Sequence, residues 1–367
     1  MELAISKQAF LQGLYLAQGI SDRKSTMPIL ANVLLRSDGK DKLLLAASDL
    51  NLTLTAEINA KVESEGGITV SAKHLHDVVK GLPGDMLSFR RLDNQYAEIK
   101  AGKTQYKLVG MADRDFPRLP SAKDVQFASV DVATLRDMIQ KTFFSVSTDE
   151  TRHHLNGVYF ESDGATAKMV STDGHRLSKV ERPLEGGPKL AAGVIIPRKG
   201  LQEVRRLLEA AEGKIDLGFH QGHLFLRRGD VTLSCKLIDA QFPPYQQVIP
   251  QANERVAIVP RLALLEALRR IALVAPDKTS GVRLGFDKNT LKVSSDNPDL
   301  GEAREELDVT FTAQSVQVGF NARYFMDILT EMNGDEVRIE LAGELDPALV
   351  RPIDNTQYVG VVMPMRM

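Results

Sequence analysis

Few residues of this 367-residue chain could do chemistry. Asp173-Gly174-His175 sets a carboxylate two residues before an imidazole, near enough to orient the ring for acid–base work. A hydrolytic centre also needs a placed nucleophile. A turn with the histidine packed or hydrogen-bonded accounts for the same three residues more simply. His153-His154 would serve a metal only if adjacent side chains pointed the same way, and no Cys or His stands at ligand spacing from them. His74 and His76 are two apart and share no helix face. Cys235, the only cysteine, sits in the alternating run Val231-Thr232-Leu233-Ser234-Cys235-Lys236-Leu237 and reads as a strand residue, not a nucleophile. Gly66-Gly67 and Gly186-Gly187 lack the strand–glycine–helix order and the Lys-Ser/Thr of a phosphate loop, so they read as turns and linkers. These residues yield no catalytic set and no metal set. A hydrolase working in a cleft near Asp173 and His175 is the alternative to carry forward.

The elements that position these residues recur. Ala47-Ser48-Asp49-Leu50, Ser171-Thr172-Asp173-Gly174 and Ser294-Ser295-Asp296-Asn297 each end a strand in an aspartate turn, with the aspartates 124 and then 123 residues apart. A strand running into an amphipathic helix appears at 68–82, 194–208 and 318–332, with Val70, Ile196 and Phe320 in corresponding places. Asp115-Phe116-Pro117 is echoed by Gln241-Phe242-Pro243, while the last unit ends in Val361-Val362-Met363-Pro364-Met365. A solenoid repeat runs about 20–50 residues, so a period this long means similar domains in tandem. Each unit opens with a helix, at 8–20, 132–144 and 262–275. In the second of these, Val132, Leu135, Ile139 and Phe143 share a face. Alternating strands follow, as in Leu50, Leu52, Leu54, Ala56 and Ile58. The spacing predicts an α+β fold of three tandem domains, 1–124, 125–252 and 253–367, each antiparallel sheet with two helices on one side.

Hydrophobic residues make up 43% of the chain, enough for several cores, and no apolar run reaches the length of a membrane span. The N-terminus carries no secretory pattern, and one cysteine allows no intrachain disulfide, which fits a reducing cytoplasm. The formal net charge of −2 argues against a protein that grips phosphates over its whole surface. The cations are not spread evenly, however. Arg136 and Lys141, then Arg198, Lys199, Arg205 and Arg206, then Arg269 and Arg270 fall on helices, while Glu302, Glu305, Glu306 and Asp308 crowd one strand segment. A near-neutral chain can still present one basic face.

Several motifs, in order along the whole chain, carry a resemblance. They are Met27-Pro28-Ile29-Leu30, Leu155-Asn156-Gly157, Thr172-Asp173-Gly174-His175-Arg176-Leu177, Ile196-Pro197-Arg198-Lys199-Gly200, the Phe242-Pro243 turn and Val361-Val362-Met363-Pro364-Met365-Arg366. Together they resemble the bacterial beta sliding clamps. The resemblance implies three clamp domains per chain with their helices on the inner face, and a head-to-tail homodimer closed as a ring around duplex DNA. It implies no active site and no cofactor. Its implied partners are the DNA polymerase III alpha subunit, the clamp loader, other DNA polymerases, ligase and mismatch-repair proteins, all reached through short peptides. No membrane is involved.

In that family the peptides enter an apolar pocket between the second and third domains. The matching positions are Leu155, Thr172, Gly174, His175, Arg176, Leu177, Pro243, Gln247, Val248, Asn321, Tyr324, Val361, Val362, Met363, Pro364, Met365 and Arg366. Gln247 departs from the arginine often found there, which bears on peptide selectivity. Methionines suit varied apolar partners, and a chain end is expected to be mobile until docked. Without the resemblance, the Met-rich tail reads as a terminal edge strand. The implied dimer contact joins Lys103, Tyr106, Lys107 and Leu108 to Leu273, Val274, Glu302, Glu305 and Glu306. His74 and Gln105 stand where some relatives are more basic. Arg23, Lys24 and Arg152 are implied to face DNA, beside the helix cations. A scaffold that never meets DNA is a third reading; it leaves the basic helix faces without a role.

Overall fold

The computed structural model describes residues 1–22, 25–209, 211–250, 253–276 and 279–366. Its contacts divide the chain into two compact units. One is Met1–Val130 with Gln202–Leu237, and the other is Asp131–Leu201 with Ile238–Met367. The division runs through the middle third of the sequence, because the two halves of that third complete different sheets.

In the first unit, helix α1 (Lys7–Ile20) and helix α2 (Ala72–Gly81) pack side by side on the sheet. Ser6 and Ser71 cap them, each accepting a backbone N–H at 3.5 Å, and such caps stabilise a helix by about 1 kcal/mol. Phe10, Leu14, Ala17 and Ile20 form the buried face of α1, with Phe10 edge-on to Phe89 at 6.4 Å. The helix lies close to the sheet. A Cβ at Gly13 would come within 2.8 Å of Ile58 Cδ1, so Gly13 sets the approach. Strand Leu52–Ser64 buries Leu52, Leu54, Ala56 and Ile58 on one face as expected, but Leu50, expected with them, lies in the turn before the strand, 55% exposed at φ +75°. Its free edge is completed by Val231–Lys236, which pairs Leu233 with Leu54 and Cys235 with Leu52. Cys235 is therefore a buried strand residue, and burial pushes its thiol up to about 12.

The second unit holds a nine-stranded and a four-stranded sheet. Helix α3 (Val132–Phe143), capped by Asp131, packs on the hairpin of Thr166–Thr172 and Arg176–Pro183. That hairpin is extended by Tyr358–Val362, with Leu177 opposite Val361. Helix α4 (Arg198–Glu209) follows strand Val194–Pro197. Helix α5 spans Arg261–Ile271, ending four residues before the predicted stop, and packs on α6 (Ala322–Thr330). A Cβ at Gly360 would meet Ile328 Cδ1 at 2.7 Å, so α6 also sits tightly on strand Tyr358–Val362. Among the described residues no helix is long and apolar enough to cross a membrane.

The helix cations divide into two sets. Lys199, Arg205, Arg269 and Arg270 are exposed, as expected. Lys141 is not. It lies three residues after the buried Met138, on the flank of α3 that faces the sheet, and only 6% of its surface is exposed. Its ammonium pairs with Asp137 and lies 5.8 Å from the Tyr358 ring. Asp137 also accepts from Arg182 Nε at 2.9 Å. A buried lysine persists only with such a partner. Arg206 is also withdrawn. It donates to the Leu16 carbonyl, lies 5.3 Å from the Tyr15 ring and pairs with Glu203 at 3.2 Å, because the bare Gly19 leaves room for its guanidinium. Removing the shared anion by Asp137→Ala strands two cations and is expected to lower stability by about 3 kcal/mol in urea unfolding. Loss of less than about 1 kcal/mol would mean that the pair with Lys141 contributes little.

Candidate functional site

The aspartate turn that suggested acid–base chemistry is a structural turn. Asp173 Oδ1 accepts the backbone N–H groups of His175 (2.9 Å) and Arg176 (3.0 Å), and Oδ2 accepts Arg176 Nε at 3.1 Å. The carboxylate is thus committed to backbone and arginine, and neither oxygen bonds the His175 ring. Thr172 Oγ1 closes the turn by donating to the Arg176 carbonyl at 2.6 Å. Gly174 has φ +89°, a conformation glycine adopts without strain, and a Cβ there would meet the Arg152 guanidinium at 2.9 Å. Among the described residues no group of three or more His, Cys, Asp or Glu could hold a metal ion.

The turn presents Arg176 instead. Its side chain is 11% exposed and is held from four directions. Nε reaches Asp173, Nη1 pairs with Asp327, Nη2 donates to the Phe144 carbonyl at 2.6 Å, and the guanidinium lies 4.7 Å from the Tyr324 ring centroid. Tyr324 and Asp327 lie one helical turn apart on α6. Asn321 caps α6, accepting the Arg323 N–H at 2.9 Å. His175 is exposed, with its ring nearly parallel to that of Tyr324. Burial raises the Tyr324 phenol above its usual range, with the Asp173 carboxylate adding to the effect.

The chain end completes the group. After strand Tyr358–Val362, the Met363 N–H donates to the His175 carbonyl at 2.9 Å, and the Met365 N–H donates to the Gly319 carbonyl at 2.8 Å. The expected free tail is therefore corrected: through Met365 it is tied by backbone hydrogen bonds to the Asp173 turn and to the strand leading into α6. Met363, Pro364 and Met365 are half-buried, and Arg366 is exposed. Beneath them, Val170, Leu177, Ile195, Phe242, Tyr245, Leu349, Val359 and Val361 form one apolar cluster, with Tyr159 stacked on Phe242 at 4.9 Å. Leu155, Leu177, Val361 and Val362 are buried, Pro243 is half-buried, and Gln247 and Val248 are exposed on the short helix Tyr245–Val248. The apolar floor, the exposed Val248 and the half-buried methionines offer a shallow greasy seat with polar groups at its rim.

The remaining expected residues lie elsewhere. Arg152 pairs with Asp149 at 2.9 Å and donates to the Asp173 carbonyl at 2.9 Å. It lines a cleft of about 290 Å³ with Arg198, whose guanidinium stacks 5.3 Å from the Phe143 ring. Arg136 is half-buried on α3, and Arg23 and Lys24 lie outside the described residues. Tyr106 is exposed on Thr104–Met111, whose residues 104–109 have a strand partner on one side only among the described residues. Lys103 and Lys107 are exposed beside it, and Leu108 is half-buried. Gly301–Asp308 is likewise the end strand of its sheet. Glu302 and Glu306 are exposed on it, but Glu305 is engaged by Arg270 through two bonds of 2.9 and 2.6 Å. Arg270, expected to face DNA, and Glu305, expected at the dimer contact, are thus paired with each other within the chain. The pairing also draws the Glu305 carboxyl below its usual range. Leu273 is 79% exposed and Val274 half-buried in the turn after α5. Asp327 and Phe144 were missed by sequence reasoning. Only the one-turn spacing from Tyr324 could have flagged Asp327.

If Asp173 serves the turn, Asp173→Ala should cost about 1 kcal/mol in urea unfolding, because the turn's two backbone N–H groups and Arg176 lose their acceptor. Asp173→Asn keeps Oδ1 and should cost less. Equal losses would show that the charge on Arg176, not the turn, governs the effect.

Comparison with known proteins agrees with this geometry. Three family models match in order: the N-terminal domain of the DNA polymerase III beta subunit over residues 1–120, its central domain over 129–244 and its C-terminal domain over 246–366. The beta sliding clamp of Pseudomonas putida is 35% identical over the full length of both chains, and that of Escherichia coli is 30% identical, also over both full lengths. The crystal structure of the DNA polymerase III subunit beta from Pseudomonas aeruginosa superposes with a TM-score of 0.95 at 33% identity, covering all of both chains. The beta sliding clamp of Caulobacter crescentus, crystallised with polyethylene glycol bound at a candidate beta-motif tethering region, gives 0.94 at 33% identity over both full chains. With three domain models in order and relatives matched end to end, the chain belongs to the family of DNA polymerase III beta subunits, the beta sliding clamps.

Proposed function

We propose that the chain is a processivity clamp that catalyses nothing: two copies close head to tail into a ring around duplex DNA in the cytoplasm and tether the replicative polymerase to its template. The observation that carries this reading is the match of three successive clamp-domain models over the whole chain. The order of the matches supports three domains, which we take as 1–124, 125–252 and 253–367. The two open strand edges suit the ring closure. Residues 104–109 present Lys103, Tyr106 and Lys107, and Gly301–Asp308 presents Glu302 and Glu306, so strand addition would bring opposite charges together. Leu273 and Val274 add apolar surface.

The seat built from the Asp173 turn, α6 and the tail takes short peptides bearing a glutamine and apolar side chains. These come from the polymerase alpha subunit, the clamp loader, other polymerases, ligase and mismatch-repair proteins. A Pseudomonas aeruginosa relative crystallised with griselimycin and the Caulobacter relative with its tethering-region ligand support a ligand seat in the family. Lys199, Arg205 and Arg269 are exposed helix cations that would meet phosphates, and the resemblance adds Arg23, Lys24 and Arg152. Few contacts of this kind give weak and mobile binding, which sliding requires.

The direct test loads the protein onto nicked circular plasmid with a compatible loader and ATP, then linearises the DNA. Retention on circles and loss from cut molecules is expected; equal retention on both would refute topological binding. Lys199→Glu with Arg205→Glu should leave the dimer intact and reduce loading, with the salt slope of log K falling by about 1 per lost phosphate contact. Deleting residues 363–367 should weaken peptide binding at least about tenfold while the fold is retained, since the deletion removes the apolar rim. Unchanged affinity would place the peptide seat elsewhere.

A further inference from the structure

We infer that Asp327 is a positioning residue for the peptide seat, an inference that rests on the seat proposed above. The seat has two walls from distant parts of the chain. One is the Asp173 turn, which supplies the His175 carbonyl to the Met363 N–H. The other is α6, which supplies Tyr324 and, at its cap, Asn321. The packing of α6 on strand Tyr358–Val362, itself paired with Arg176–Pro183, brings the two walls together. From the turn, the exposed His175 ring lies beside Tyr324, and Arg176 makes the charged bridge to α6. On its own side it is fixed by Asp173 and by the Phe144 carbonyl. On the far side its charged partner is Asp327, with the Tyr324 ring stacked on the same guanidinium.

The geometry makes Asp327 the latch. Its spacing from Tyr324 puts carboxylate and ring on one helix face, so a single planar guanidinium is gripped at its edge and on its face. Without the carboxylate, Arg176 keeps Asp173 and the carbonyl, so the turn persists. What it loses is its charged bond to α6. The tail then loosens as well, since Met363 is bonded to the turn and Met365 to Gly319, on the strand leading into α6. Peptide that must fit between turn, tail and α6 meets a seat of less defined width, and preorganisation is lost. Asp327 itself is 44% exposed, so its removal leaves no buried cavity and little direct loss of packing.

The test measures binding of a fluorescein-labelled pentapeptide, with an N-terminal glutamine and leucine or phenylalanine at its other end, to the full-length dimer. Amide exchange of the segment spanning 359–366 is followed in the same samples. Asp327→Asn is expected to weaken the peptide five- to tenfold and to speed exchange in that segment, with the thermal midpoint unchanged. Asp327→Glu should restore both to within twofold, which a purely steric role would not predict. Asp327→Asn binding within twofold of wild type, with unchanged exchange, overturns the positioning role. Failure of the unaltered dimer to bind the peptide sinks the seat itself. Faster exchange in Asp327→Asn alongside that failure would still support the latch between turn and α6.

Discussion

Backbone N–H and C=O groups buried away from water must be paired, and in this chain part of that pairing is supplied by residues far away in sequence. Strand Leu52–Ser64 is completed by Val231–Lys236, and strand Arg176–Pro183 is completed by Tyr358–Val362. In each unit a sheet built of earlier strands is thus extended by a later segment. The middle third of the sequence is divided by this constraint, one half finishing each unit. The same constraint leaves residues 104–109 and Gly301–Asp308 as edges with a strand neighbour on one side among the described residues. Such edges are rarely left bare, and both carry the charged residues that proteins use to restrict what pairs there.

The group of residues proposed as a peptide seat is a consequence of strand completion. Placing Tyr358–Val362 against Arg176–Pro183 delivers the chain end to the mouth of the Asp173 turn, where the Met363 N–H finds the His175 carbonyl. A second bond, from Met365 to Gly319, ties the tail to the strand before α6. The seat thus gathers residues separated by nearly 200 positions without any one segment containing it. Arg176 serves at the centre because its planar guanidinium can accept partners along its edges and an aromatic ring on its face at the same time. A lysine at this position could not satisfy Asp173, Asp327 and the Phe144 carbonyl in fixed directions.

Charge on the helices follows local packing as much as any demand from DNA. Lys141 and Arg206 belong to the basic set by type, yet one is buried against α3's own aspartate and the other is pinned to α1. Arg270 neutralises Glu305 across to the neighbouring strand. Lys199, Arg205 and Arg269 stay exposed on the helices, the last paired with Glu266 at 2.6 Å. A sparse set of this kind suits a surface past which DNA must move.

By itself the sequence determined the repeating order of helix and strand, the strand position of Cys235 and the family, because each rests on local spacing or on collinear motifs. It also marked most of the seat, through the Thr172–Leu177 motif and the tail. The partners of those residues were not legible. Nothing at Asp173 reveals that its carboxylate caps a turn and never meets the His175 ring, and nothing at Lys141 reveals its burial beside Asp137. Asp327 stood unremarked until α6 was laid against Arg176. Local propensity and hydrophobic period act within a few residues, whereas which charges meet is decided by sheet pairing across more than a hundred, and only the tertiary structure carries out that pairing.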